Sequence, residues 1–358
     1  MAPSGRRLNV VQTGRWATIG LFVLAMIAAL RVGSSLIIPI LMAGLLGLLL
    51  APAVAWLVRR GLPHAVAAGL VMLAVVGAVG TTIVMLSGPA TAWLEDAPKT
   101  LSQAERKIRR LTKPIEQLQA TAKKMEEVAQ SGTGQTRQQQ RSTGQTAPGG
   151  LFQKLSGTTV SFVGALVTVI FLSYFLLATA HRFREKLDDL LPEAGHAKVT
   201  EAISEMQQQM SRYLLTVTSI NVALGLVTWG VMVLNGMPNP ALWGVVAGVL
   251  NFVPYLGALV TLAIILLAGL VSFDESGRAF LAAGSFFFVN FLEGNLITPT
   301  IMGRRLPLNP VAIFGGLLFW GWLWGITGAI LAVPLTACLK VMADRIEPIK
   351  PVGEMLGP

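Results

Sequence analysis

Eight apolar runs follow one another along this chain, and most are about as long as a lipid bilayer is thick. They are Trp16–Leu30, Leu36–Val58, Ala65–Leu86, Gly157–Thr179, Tyr213–Leu234, Ala241–Phe273, Ala279–Thr300 and Pro310–Met342. A helix needs about 20 apolar residues to cross a bilayer. Composition agrees with that reading. Of 358 residues, 53% are hydrophobic and only 13% charged, about half the charge of a typical soluble domain. There is too little polar side chain to clothe a water-facing surface, so the chain is predicted to be an all-α integral membrane protein.

Two of the runs are too long for ordinary spans. Ala241–Phe273 and Pro310–Met342 each hold 33 residues, with helix breakers near the middle: Asn251, Pro254 and Gly257 in the first, Gly325 and Gly328 in the second. Half-helices of about 16 residues reach only about 24 Å, too short to cross alone. Each long run therefore reads as a re-entrant helical hairpin, leaving about six full spans.

The net charge of +10 does not point to nucleic acid. Of the 28 Lys and Arg residues, 11 fall between Lys99 and Lys154, and the others flank apolar runs, as Arg6, Arg7, Arg15, Arg59, Arg60, Arg304 and Arg305 do. Topology signals are distributed this way. They put the N-terminus and the Arg59-Arg60 loop inside. Arg304 and Arg305, with the C-terminus, also fall inside if both long runs are hairpins. The Arg-led run Trp16–Leu30 mimics a signal peptide, but no small-residue cleavage site follows, and it reads as a retained first helix.

With that topology, Tyr213–Leu234 runs outward and is followed by a hairpin entering from outside. Ala279–Thr300 runs inward and is followed by a hairpin entering from inside. Opposite orientation of two such units is the arrangement of inverted-repeat transporters. The sequence echoes it. Asn221 and Gly225 match Asn290 and Gly294, Asn239-Pro240 matches Asn309-Pro310, and Gly257-Ala258 matches Gly328-Ala329, at offsets of 69, 70 and 71.

The expected organisation is residues 1–92 as N-terminal transmembrane helices, 93–156 as an extracytoplasmic insert, 157–212 as a transmembrane helix with a cytoplasmic amphipathic segment, 213–346 as the transport core and 347–358 as a cytoplasmic tail. In the insert, Leu101, Ile108, Leu111, Ile115, Leu118 and Met125 keep a heptad register. It is either a solvated spacer or an oligomer contact. Ser131–Gly150 has the composition of a disordered linker.

Chemistry-bearing residues are few. The single cysteine, Cys338, excludes a disulfide within the chain and a Cys-based metal site. No catalytic, nucleotide or metal motif appears, so neither an enzyme nor a cofactor is expected. Hairpin tips expose backbone polar groups that lipid cannot satisfy, so they belong beside protein or a polar cavity. Pro254, Tyr255 and Gly257 mark one tip, and Gly325, Thr327 and Gly328 the other. Glu293 is the one acidic residue well inside an apolar segment, which makes it a functional candidate. Asn290 and Asn295 accompany it, and Asn251 is a candidate ligand at the first tip. The structural alternatives are that Glu293 pairs with Arg304 or Arg305, and that Asn251 is only a helix cap.

Several stretches together carry a family likeness: Asn251-Phe-Val-Pro-Tyr-Leu-Gly257, Glu293-Gly-Asn-Leu-Ile-Thr-Pro299, Leu308-Asn-Pro310 and Gly325-Ile-Thr-Gly-Ala-Ile-Leu-Ala-Val-Pro334, with Leu190-Leu-Pro192 and Pro238-Asn-Pro-Ala-Leu-Trp-Gly244. In this order they resemble the autoinducer-2 exporter (AI-2E, permease-like) family of bacterial membrane transporters. The likeness spans nearly the whole chain except the insert between Trp93 and Gly150. It implies a multi-pass inner-membrane protein, homo-oligomeric, with a pentamer as the candidate ring. It also implies export of the quorum-sensing signal autoinducer-2, and it carries the role of ion- or proton-responsive group onto Glu293. The rival expectations are a monovalent cation/proton antiporter on the same architecture and a non-transporting oligomeric scaffold.

Overall fold

The computed structural model describes residues 5–91, 93, 164–179, 193–302, 308–345 and 350–357, and these are all-α. The insert's heptads, the 131–150 linker and the Arg304-Arg305 pair lie outside them. The helices are α1 Gly5–Val32, α2 Ser34–Val58, α3 His64–Thr91, α4 Gly164–Thr179, α5 Glu193–Leu234, α6 Pro240–Leu250, α7 Leu256–Ser272, α8 Ser276–Leu292, α9 Thr298–Met302, α10 Pro310–Arg345 and α11 Lys350–Leu356. A π-helical turn, Glu293–Ile297, joins α8 to α9.

Five helices among the described residues are long and apolar enough to cross a membrane: Ser34–Val58, His64–Thr91, Ile203–Leu234, Ser276–Ile301 and Pro310–Asp344. Their outer faces are apolar. Leu36, Leu73, Phe287 and Trp322 are all exposed, which suits lipid and would aggregate in water.

The α5 helix passes through the expected division at residues 212 and 213. It runs unbroken from Glu193, so the polar residues 193–212 extend the apolar span by about five turns. The amphipathic pattern marked a helix, but nothing in it marked continuity with the span.

Both long apolar runs fold back on themselves. The first breaks between α6 and α7, at residues 251–255. The second is α10, broken by a single residue, Gly325, with φ 64° and ψ −142°. A methyl group on Gly257 would collide with the Leu250 carbonyl, and one on Gly328 with the Trp320 carbonyl. Only glycine lets the returning arm pass so close to the arm it has left.

The described residues fall into two compact units. In the first, α2, α4 and the start of α3 pack through Val54, Ala67, Ala68 and Leu177, and Ser173 donates to the Ala43 carbonyl at 3.1 Å. The second hairpin belongs to this unit. Its arms meet where Gly316 faces Thr336, and Trp320 Nε1 donates to Thr336 Oγ1 at 3.3 Å. The second unit contains α6, α7 and α8 around Trp243, Ala247, Ile265, Ala268, Ala282 and Phe286. Alanine and glycine let these helices close up. A methyl group on Gly269 would stand 3.0 Å from Ala279 Cα, the small-residue packing expected where no hydrophobic effect drives helices together.

Candidate functional site

The polar residues of the second unit gather at the first hairpin's tip. Helix α6 lies against α5 through glycines on both sides. A methyl group on Gly225 would stand 2.9 Å from the Gly244 carbonyl oxygen, and one on Gly248 would stand 2.9 Å from the Asn221 carbonyl oxygen. That close approach delivers Asn251, at the C-terminal end of α6, to Asn221 on α5. The Asn251 Nδ2 donates to Asn221 Oδ1 at 2.9 Å. From α8, Asn290 Nδ2 donates to Asn251 Oδ1 at a longer 3.4 Å. Three elements thus meet through three carboxamides.

The chain of amides ends on an unpaired donor. Asn221 is 2% exposed and its Nδ2 has no hydrogen-bond partner among the described residues. A buried donor left unpaired costs about 1–3 kcal/mol. Thr228, two turns on along the same face of α5, is also buried with its hydroxyl unpaired. Asn221 was legible only as the repeat partner of Asn290. That pairing was its signal, because an isolated Asn in an apolar helix does not announce what it will touch.

Glu293 opens the π-helical turn and is half-buried. Thr298 Oγ1 donates to Glu293 Oε1 at 2.5 Å, short as expected for a hydroxyl on a carboxylate. The π turn explains the partner. Its i→i+5 bond, from Thr298 N–H to the Glu293 carbonyl, sets residues five apart over one another, whereas an α-helix would swing them apart. Pro299 follows directly. In an α-helix its missing N–H and its ring would leave and crowd the Asn295 carbonyl, and the wider turn ahead of it accommodates both.

Of the sequence-predicted residues, Asn290 and Asn251 come together. Asn290 bonds Asn251 rather than Glu293, and Asn295, exposed, donates to its own helix at the Phe291 carbonyl, 2.9 Å away. Pro254 and Tyr255 lie in the break between α6 and α7, and Gly257 is in the first turn of α7. There Leu256 N–H donates to the Pro254 carbonyl at 2.7 Å across Tyr255, whose φ of 64° and ψ of −53° make a positive-φ γ-turn, the rarer and more strained kind. Gly325 is the non-helical residue within α10, in the other unit, and Thr327 and Gly328 follow it along the helix. Beside it, Trp324 Nε1 donates to the Leu30 carbonyl at 3.0 Å, and the Arg31 guanidinium lies 5.3 Å from the Trp322 ring.

The arrangement offers one carboxylate and several neutral amide and hydroxyl groups within otherwise apolar helices. Such a set can hydrogen-bond a small polar solute or exchange a proton. The family model described as "AI-2E family transporter" matches residues 21–347. The AI-2 transport protein TqsA of Escherichia coli K12 is 27% identical over 327 residues, which is 91% of this chain and 90% of that protein. YhhT of the same organism, named only as a candidate transport protein, is 26% identical over 334 residues, or 93% of this chain and 91% of that one. A protein of Borreliella burgdorferi with the same kind of name is 30% identical over 201 residues, a match spanning 55% of each chain.

Proposed function

The chain belongs to the AI-2E transporter family, and from that premise we propose that it exports a small polar solute across the bacterial inner membrane, with autoinducer-2 as the leading candidate. The observation that carries this reading is Glu293, a half-buried carboxylate on a π turn within an apolar helix. An ionisable group in a membrane helix is expensive to keep without a use, and π turns recur at functional sites. Near it in sequence, Asn290 joins Asn251 and Asn221 in a carboxamide cluster. The relative named for AI-2 transport supports the choice of solute.

The two folded-back pairs act as re-entrant hairpins beside six full spans, in inverted orientation, with both termini cytoplasmic. Support comes from their tips. Tyr255 and Gly325 sit at equivalent places in the sequence echo and both have φ of 64°, and the glycine after each passes an equivalent carbonyl, Leu250 or Trp320. Glu293 is the ion- or proton-responsive group, Asn221, Asn251 and Asn290 are solute contacts, and the tips are gates. Assembly as a homo-oligomer, with a pentamer as the candidate, completes the proposal. A carboxylate as the sole acidic candidate also favours a second reading, monovalent cation/proton antiport.

Reconstituted liposomes test both. Uptake of labelled autoinducer-2 should require the protein and fall at least tenfold in Glu293→Gln, a neutral isostere that retains an oxygen for Thr298. Absence of uptake together with collapse of a pH gradient on adding sodium or potassium would replace the first reading with the second. Full activity in Glu293→Gln would remove Glu293 from either mechanism.

A further inference from the structure

Residues 350–357 lie beyond the last residue matched by the family model, which ends at 347, yet they are built into the first unit. Helix α11 crosses the open end of the second hairpin, where the two arms of α10 begin and finish. Asn309 is at the centre of the contact. Its Oδ1 accepts the Ala312 N–H at 2.6 Å, capping the first arm. Its Nδ2 donates to the Met355 carbonyl at 2.9 Å and to the Gly357 carbonyl at 2.8 Å, and its backbone N–H donates to the Leu356 carbonyl at 3.0 Å.

The other arm is held as well. Gly353 is buried against Asp344, and a methyl group there would stand 3.0 Å from the Asp344 backbone nitrogen. Asp344 is ion-paired with Lys340 at 2.5 Å. Gly357 lies along the Lys340 side chain, and Leu356 joins the apolar cluster of Leu308, Ala312, Val333 and Ala337 drawn from both arms. One short segment therefore ties the start of the hairpin to its end.

We propose that Asn309 is a positioning residue for transport: its one carboxamide both caps the second hairpin and holds residues 350–357 as a strap across the hairpin's open end, and the strap must let go before the hairpin moves. This rests on the reading of that hairpin as a gate. The two ends of the amide can be separated chemically. Asn309→Asp keeps a good N-cap acceptor and loses both Nδ2 donors, whereas Asn309→Ala loses cap and grip together. Gly353→Val wedges α11 off Asp344 without touching Asn309.

Hydrogen exchange on the full chain in liposomes, alongside autoinducer-2 flux, decides the matter. In Asn309→Asp, exchange of 350–357 and of 336–345 should rise about tenfold, as loss of two hydrogen bonds allows, while 310–315 stays protected. Gly353→Val should do the same, and Asn309→Ala should also expose 310–315. Where flux is present, both releasing variants should raise its maximal rate about threefold or more at unchanged half-saturation. An unmoved 350–357 in Asn309→Asp overturns the clamp. A freed segment with unchanged exchange at 336–345, or with flux unchanged or lowered, overturns the strap. If the wild type carries no autoinducer-2, that solute reading fails, while the exchange pattern still decides whether the strap exists.

Discussion

The two hairpins reach the same reversal by different means. The first spreads it over residues 251–255 and uses a γ-turn at Tyr255, a side chain held at positive φ. The second compresses it into Gly325, where no side chain opposes the conformation. The first tip carries a carboxamide that bonds two other helices, and the second offers an indole that bonds one backbone carbonyl. At their open ends the contrast reverses. Both start on Asn-Pro, but Asn239 has φ 52° and makes no side-chain cap, while Asn309 caps its helix and grips α11. The difference teaches that the two hairpins place their anchoring carboxamides at opposite ends: the first at its tip, the second at its base.

Five substitutions break or sharpen that comparison. The largest effect is expected from Gly257→Val and Gly328→Val. Each drives a side chain into a backbone carbonyl of its own hairpin, and a cost above about 4 kcal/mol should abolish the monodisperse peak in detergent chromatography. Collapse of one variant alone would end the equivalence of the tips. Gly325→Ala comes next. Its positive φ should cost about 1–3 kcal/mol, seen as a lower unfolding temperature, and an unchanged temperature would mean that the second reversal needs no glycine.

Asn251→Leu should cost about 1–2 kcal/mol by severing the amide chain, with faster hydrogen exchange confined to the first hairpin. Spread of that change to 310–345 would show that the first tip is not independently anchored. The smallest effect has the opposite sign. Tyr255→Gly relieves a strain of about 1–2 kcal/mol and returns part of it through unfolded-chain entropy, so the unfolding temperature should rise slightly. A fall would mean that the exposed Tyr255 ring makes contacts worth more than the strain.

Much of the backbone plan was legible because lipid imposes simple lengths. Apolar runs predicted the helices, and the breakers at Asn251, Pro254 and Gly325 predicted where two runs fold back, since a 33-residue run leaves few other options. The end of α5 was not legible: polar residues 193–212 show amphipathic character whether a helix stops at the surface or continues. The site was legible residue by residue but not in its pairings. Glu293, Asn251 and Asn290 stood out as polar groups in apolar sequence. That Asn290 would turn to Asn251, and Glu293 to Thr298, depends on a π turn and on glycine contacts that periodicity does not encode. Asn309 appeared only as a motif letter and a repeat partner of Asn239, because its α11 partners lie more than forty residues away in a segment without a pattern of its own.

The glycine seam between α5 and α6 has a mechanical consequence. Gly225, Gly244 and Gly248 bring two backbones together without intervening side chains, so no rotamer has to be frozen to hold the joint and none can yield to loosen it gradually. Contacts of this kind are lost within a fraction of an ångström. The seam should therefore behave as a weld rather than a spring, and α6 should travel with α5 as one rod whenever either is displaced.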